Sequence, residues 1–68
     1  MALSARNHLK GEITEVVLGT VTALVTLKVG DNLVEAVITK RSAEELGLKT
    51  GDKVTAVIKA TEVMIQKG

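Results

Sequence analysis

The sequence contains no cysteine, phenylalanine, tyrosine or tryptophan, and it has one histidine, His8. Without cysteine there is no disulfide and no thiolate metal site, and a single imidazole cannot form a histidine cluster. Without aromatic residues the chain lacks the largest apolar side chains for a core and the platforms on which single-stranded nucleic acids stack. We therefore expect no directly coordinated metal cation and no base-stacking surface.

The chain is short and its apolar content is aliphatic. It has 68 residues, of which 46% are apolar. A core of that size rarely provides more than about 3–5 kcal/mol of stability. We expect one small domain over residues 1–68 that completes its core by association with copies of itself, as a homo-oligomer.

Positive and negative charges are nearly balanced. The sequence has nine Lys and Arg residues and eight Asp and Glu residues, which gives a net charge of +1. This balance argues against a broad positive field for long nucleic acids or anionic membranes. No apolar run approaches the roughly 18 residues that a membrane helix needs, and the first residues do not resemble a signal peptide. We expect a cytoplasmic protein without nucleic-acid or membrane partners.

Alternation of apolar residues predicts the first three strands. Residues 9–16 alternate between two faces, one of which carries Ile13 and Glu15, and residues 19–20 end the pattern. Residues 30–32, Gly-Asp-Asn, tolerate positive φ and predict a hairpin into a strand over residues 33–39. The clearest strand lies between these segments, with its apolar face formed by Val21, Ala23, Val25, Leu27 and Val29.

The only helical pattern lies at residues 42–48. Ser42, followed three residues later by Glu45, resembles a capping box, and Glu44 and Glu45 fall where the helix dipole favours carboxylates. Gly47 is suited to end the helix. This interpretation explains the acidic pair without invoking a metal.

Two further strands follow the helix. After a turn at residues 50–53, residues 54–60 predict a strand that is buried on both faces for part of its length, and residues 62–66 predict a short last strand. Four or five strands with one short helix predict an all-β fold, a small OB-like β-barrel.

The sequence offers little for catalysis. A nucleophile needs a base held beside it, and His8, most simply a solvated or interface residue, has no evident partner. Paired catalytic carboxylates, zinc-protease motifs, phosphate loops and glycine-rich dinucleotide turns are also missing. We expect that the chain is not an enzyme.

Hydrogen-bond donors recur where strands begin or end. A tetrahedral dianion without a proton only accepts hydrogen bonds, so hydroxyls, a guanidinium, an ammonium and main-chain amides suit it. Each donor alone has an ordinary structural explanation, such as a helix cap for Ser42 or a solvated side chain for Lys59. The donors in question are Ser4, Arg6, Thr39, Ser42, Lys59 and Thr61.

Three segments together resemble the Mop domain of the molbindins. They are residues 4–11 (SARNHLKG), residues 38–42 (ITKRS) with 46–48 (LGL) behind them, and residues 58–65 (IKATEVMI). The resemblance covers essentially the whole chain. It implies an OB-like barrel whose strands are exchanged between subunits, a hexamer built as a trimer of dimers, and cytoplasmic storage of molybdate or tungstate without an organic cofactor.

The resemblance also implies a site at a subunit interface. In it, Ser4 and Arg6 would supply hydroxyl and guanidinium or main-chain donors, and Lys59 the compensating charge. Ala60 would add an amide and Thr61 a further donor. A neighbouring subunit would contribute the segment that holds Thr39 and Ser42. The family often has glutamine where this chain has His8, which leaves pH sensitivity open. Some members have serine at the position of Ala60, and this chain lacks that hydroxyl.

Two other classes of protein remain as alternatives. Residues 38–54 also resemble the core of swapped-hairpin DNA-binding regulators of the AbrB type. Those proteins normally carry the segment near the N-terminus, with a proline before the helix and a stronger basic face, and this chain has none of these features. An OB-fold for single-stranded nucleic acid would need aromatic platforms, which the chain lacks.

Overall fold

The protein is a small antiparallel sheet with one short helix. The computed structural model describes residues 3–68, and residues 1 and 2, where the predicted domain begins, lie outside the described residues. The prediction of a mostly β fold with one short helix is confirmed. In chain order the elements are β1 (Asn7–Leu18), β2 (Thr22–Val29), β3 (Asn32–Thr39), α1 (Lys40–Leu46) and β4 (Lys53–Ile58).

Strand β1 organises the sheet because it pairs with two strands along different parts of its length. The first half, from Asn7 to Glu12, pairs with β4, and the second half, from Glu12 to Leu18, pairs with β2. Strand β3 pairs with β2, so the order across the sheet is β3-β2-β1-β4. Within residues 3–68, β3 and β4 are therefore the sheet edges, and no ladder closes them into a barrel.

The core lies on the inner face of β2. Ala23, Val25 and Leu27 are buried there, as the alternation predicted, and Ile13 of β1 and Ala43 of α1 cover them. The same face was expected to include Val21 and Val29, but Val21 precedes the strand and is exposed, and Val29 is half-buried. A core of aliphatic side chains and two alanines is small even for a chain of this length.

The predicted alternation of the first strand is wrong in its second half. Ile13 pairs with Leu27 and Glu15 with Thr26, so Thr14 is an extra residue in a β-bulge. The bulge moves Glu15 to solvent and brings Val16 onto the inner face opposite Val25. A strand of fixed period two would have buried the carboxylate instead.

The helix begins two residues earlier than predicted, and its cap is Thr39 rather than Ser42. Thr39 ends β3 in an extended conformation, and its hydroxyl oxygen accepts a hydrogen bond from the Ser42 main-chain N–H. Glu44 and Glu45 consequently lie beyond the first turn, where the dipole favours them little. Gly47 ends the helix at φ 62°, as predicted. Within residues 3–68, no helix combines the length and the apolar content that crossing a membrane would require.

The C-terminal part differs most from prediction. Strand β4 ends at Ile58, and its side chains alternate between half-buried and exposed rather than being buried on both faces. A 3-10 helix, Ala60–Glu62, follows instead of a last strand over residues 62–66. Met64 and Ile65 are 93% and 89% exposed. A strand needs an edge to pair with, and residues 62–66 pair with none within residues 3–68.

An apolar groove separates the two edge strands. It has a volume of about 760 Å³. Val34 and Ile38 line it from β3, Val54 and Ile58 from β4, and Leu46 from the helix. The groove therefore exposes aliphatic side chains that a closed barrel would cover.

Candidate functional site

The opening segment and the last motif meet at one edge of the sheet. Asn7 and Ile58 are the final partners of the β1–β4 ladder, and the Asn7 side chain donates from Nδ2 to the Ile58 carbonyl oxygen at 3.2 Å. Arg6 directly precedes this pair and Lys59 directly follows it. Because the strands are antiparallel, both cations leave the sheet at the same end. Asn7 and Ile58, which are 51 residues apart in sequence, are thus neighbours in the structure.

Residues 59–61 present several donors in succession. Lys59 is extended (φ −66°, ψ 140°) and precedes the 3-10 helix. The hydrogen bonds of this helix are donated by the N–H groups of Glu62, to the Lys59 carbonyl at 2.9 Å, and of Val63, to the Ala60 carbonyl at 3.4 Å. The N–H groups of Ala60 and Thr61 are not donors in that pattern. One ammonium, one hydroxyl and two amides are therefore available to an acceptor.

The N-terminal arm, residues 3–6, is held by the His8 side chain near the start of β1. Ser4 and Arg6 are both exposed and lie outside the ladder. The His8 ring nitrogen Nε2 lies 3.1 Å from the Ala5 carbonyl oxygen, so the ring donates to it. Asn7 had no predicted role, and His8 had none beyond pH sensitivity. The sequence signal that pointed to Asn7 and His8 was their position, directly after the donors and at the start of a strand.

The hydroxyls of Thr39 and Ser42 form a second group of donors. The Thr39 hydroxyl donates to Ser42 Oγ at 2.8 Å while its oxygen accepts from the Ser42 N–H at 3.0 Å. The Ser42 hydroxyl hydrogen remains free to donate to a further acceptor. Both residues are exposed, and the nearby guanidinium of Arg41 is engaged by Glu45 at 3.0 Å.

One chain does not join its two groups of donors. Thr39 ends β3 beside the start of β2, which pairs with the last residues of β1, whereas Arg6 and Lys59 lie beyond the first residue of β1. Along the sheet the groups are separated by a strand of 12 residues. Between residues 3 and 68, no side-chain hydrogen bond links one group to the other. Each chain therefore carries two partial sets of donors.

A cluster of lysines on the outer face differs from both donor groups. Glu12 lies between Lys28 of β2 and Lys53 of β4 in the ladder, and Lys53 donates a hydrogen bond to its carboxylate. This hydrogen bond, the Lys53 charge and then the Lys28 charge lower the pKa of Glu12. Lys10 lines the same depression, of about 560 Å³. An anion there would meet the Glu12 carboxylate, which already engages Lys53. Within residues 3–68, no carboxylate accepts a hydrogen bond from Lys59, Thr39 or Ser42, so the two donor groups suit an anion better.

No cation site is apparent in the part of the chain that the structure describes. Across residues 3–68, no group of three or more His, Asp or Glu side chains is placed to hold a metal ion. The side chains at the ends of β1 and β4 are themselves cationic or hydroxylic. They suit an oxygen-rich anion.

Comparison with known proteins agrees with this chemistry. The model of the TOBE domain matches residues 3–65. Molybdenum-pterin-binding protein 1 of Clostridium pasteurianum is 48% identical over 66 residues, which cover 96% of this chain and 97% of that protein. The chain belongs to the TOBE family of molybdenum-pterin-binding proteins. The resemblance to the Mop domain is thereby confirmed. The prediction that the chain is not an enzyme is also confirmed, because the members of this family are binding proteins.

Solved structures of the family share the fold. A molybdate-binding protein from Sporomusa ovata has a TM-score of 0.95 and 42% identity, with 98% of this chain and 100% of that chain covered. The cytoplasmic molybdate-binding protein ModG, in a form with molybdate bound, has a TM-score of 0.84 and 44% identity. That match covers 88% of this chain and 43% of ModG. These relatives favour oxyanion binding over the DNA-binding alternative.

Proposed function

We propose that this chain binds molybdate or tungstate at interfaces between copies of itself and serves as a cytoplasmic store of the oxyanion. One observation carries the proposal: the β1–β4 ladder places Arg6 and Lys59 at the same end of the sheet, next to the free amides of Ala60 and Thr61. Relatives named for binding molybdenum-pterin or molybdate support the choice of ligand.

The donors match the chemistry of the ligand. Molybdate near neutral pH is a tetrahedral dianion that carries no proton, so it can only accept hydrogen bonds. Arg6 and Lys59 together balance its two charges. The hydroxyls of Ser4 and Thr61 and the amide of Ala60 provide neutral donors around them. Phosphate, which is partly protonated near pH 7, would also need an acceptor.

A second copy would complete the site. All seven proposed residues are exposed in one chain, and a dianion held at such a surface would remain largely hydrated. A buried dianion needs a hydrogen-bond donor for each of its lone pairs, and one end of the sheet supplies too few donors. In the proposed oligomer, a hexamer arranged as a trimer of dimers, Thr39 and Ser42 of a neighbouring subunit close the site.

Strand exchange would bring the copies together. The tail beyond the 3-10 helix carries Val63, Met64 and Ile65, which are exposed apolar residues without a strand partner in the part of the chain that the structure describes. The groove between β3 and β4 presents aliphatic side chains and two unpaired strand edges. A tail from another copy that paired there would bury both apolar surfaces and complete a barrel.

The role of Lys59 can be tested by calorimetric titration with sodium molybdate. The chain has no tryptophan or tyrosine, so heat is a better signal than intrinsic fluorescence. We expect Lys59→Ala to weaken binding about 100-fold, because a buried anion loses a charged donor. Lys49→Ala, which removes an exposed cation from the turn after the helix, is the matched control and should bind normally. Equal heats from the two variants would refute the role of Lys59.

Ligand and assembly should also stabilise each other. A ligand present at about 100 times its Kd adds about 2.7 kcal/mol to the stability of the state that binds it. We therefore expect molybdate or tungstate to raise the Tm by at least about 4 °C, and an equal ionic strength of chloride to leave it unchanged. No shift at saturating oxyanion would argue against storage.

A further inference from the structure

The imidazole of His8 ties the N-terminal arm to the start of β1. Its Nε2 atom donates to the Ala5 carbonyl oxygen at 3.1 Å, three residues back along the chain. Ala5 lies between Ser4 and Arg6, the two donors that the arm would offer to an oxyanion. The ladder of β1 starts only at Asn7, so no strand pairing fixes residues 3–6. We propose that His8 is a positioning residue, which holds the arm in the conformation that binds the oxyanion without touching it.

The neighbouring residue Asn7 supports this role. Its side chain donates to the Ile58 carbonyl, one residue before Lys59, and so fixes the β4 end of the site to β1. His8 fixes the other end of the site to the same strand. Two consecutive side chains thus set the position of Arg6 relative to Lys59. An arm that is already ordered loses less conformational freedom when the ligand binds.

The tether requires a donor at His8 but not a charge. A neutral imidazole donates to Ala5 in its Nε2–H tautomer, and an imidazolium donates from either nitrogen. A glutamine carries an amide N–H₂ group at a comparable reach, whereas alanine carries none. The structure therefore predicts that His8→Gln preserves the position of the arm and that His8→Ala does not.

The inference rests on the proposed function, since Ser4 and Arg6 are ligand donors only there. Two measurements on the intact oligomer separate the two ideas. The first is ¹⁵N relaxation at the amides of Ala5 and Arg6 without ligand, which reports order in the arm directly. The second is calorimetric titration with sodium molybdate at pH 7.5. Wild type, His8→Ala, His8→Gln and Thr50→Ala are compared, the last as a control in an exposed turn far along the chain from the arm.

We expect His8→Ala to lower the arm order parameters and to weaken molybdate binding about three- to tenfold, as the loss of one neutral hydrogen bond implies. His8→Gln and Thr50→Ala should stay within about twofold of wild type. Binding by His8→Ala equal to that of wild type, or an equal loss in His8→Gln, would overturn the proposal. If no variant binds molybdate, the proposed function fails. In that case the order parameters alone test the tether, and values in His8→Ala equal to those of wild type would refute it.

Discussion

The middle of this chain and its two ends use apolar residues and hydrogen bonds in opposite ways. The apolar residues of β2, Ala23, Val25 and Leu27, are buried against β1 and α1 within one chain. Those of the tail, Met64 and Ile65, are almost fully exposed. The sheet is therefore largely self-sufficient, whereas the ends have contacts left to make. In a 68-residue protein this division separates the part that packs within one chain from the part that, in the proposed oligomer, contacts another copy.

The polar groups follow the same division. Along β1 and β2 the main-chain groups pair with each other in the ladders. At the chain ends, the arm, Lys59 and the first amides of the 3-10 helix retain free donors. Exposed apolar residues and free polar donors thus occur together at the chain ends, where the proposed second copy would satisfy both.

The largest effect on the self-sufficient part is expected from Gly11→Val. A Cβ atom on Gly11 would lie 2.6 Å from the Lys28 carbonyl oxygen and 2.9 Å from Val29 Cγ2, so β1 and β2 would have to separate. We expect the free energy of unfolding to fall by about 3 kcal/mol, measured by urea denaturation followed by circular dichroism. The neighbouring exposed substitution Lys10→Ala should leave it nearly unchanged. A Gly11→Val protein of wild-type stability would show that the close approach is not a constraint.

The next largest effect concerns the ends. We expect the double substitution Met64→Asp and Ile65→Asp to reduce the native mass by light scattering, because charged side chains cannot be buried in another copy's groove. The circular dichroism of the sheet should persist if the middle of the chain folds alone. Lys67→Glu changes charge in the same tail outside the apolar pair and should leave the mass unaltered. An unchanged mass in the double variant would contradict tail exchange.

A smaller effect is expected at Thr39, which belongs to both parts. Its hydroxyl oxygen caps α1 by accepting from the Ser42 N–H. Thr39→Ala should therefore lower the unfolding free energy by about 1 kcal/mol, and Thr39→Ser should restore most of it. Urea denaturation of ligand-free protein isolates this capping role from oxyanion binding. Equal stability of all three proteins would mean that the cap contributes little.

The smallest effect is expected at the Glu12–Lys53 pair. The folded pKa of Glu12 lies below its ordinary value of 4.5. The stabilisation that ionised Glu12 provides is therefore fully present when the pH is above that ordinary value. It is lost as the pH falls through the lower pKa of the folded state. Glu12→Gln should lower the Tm slightly at pH 7, and the difference should disappear as the pH falls through the folded pKa of Glu12 and shrink in high salt. A difference that grew as the pH fell would contradict this account.

The sequence predicted the elements whose partners lie nearby and was wrong where partners are distant. Alternation predicted the buried face of β2, and Gly47 predicted the helix end, because both depend on adjacent residues. The bulge at Thr14 depends on how β1 fits β2, and no local period reveals it. The predicted strand at residues 62–66 lacks an edge in one chain, so propensity alone did not form it.

The candidate site divides in the same way. Ser4, Arg6 and Lys59 were predicted by resemblance to a family, and the ladder then placed Arg6 and Lys59 at one end of the sheet. The clamps formed by Asn7 and His8 were missed, because their position at the start of a strand does not reveal that they bond to the Ile58 and Ala5 carbonyls. Donor type is thus readable from composition, but the residues that orient donors are visible only in three dimensions.

The most direct test of an oxyanion site shared between copies is complementation between two defective chains. Chains that carry Lys59→Ala and chains that carry Thr39→Ala with Ser42→Ala are prepared alone and as a co-expressed mixture, and each is titrated with molybdate. If the two donor groups come from different copies, a mixed pair contains one site built wholly from intact residues. We predict that each protein alone binds weakly and that the mixture recovers wild-type affinity at a fraction of its sites. A mixture that binds no better than its components would contradict the account.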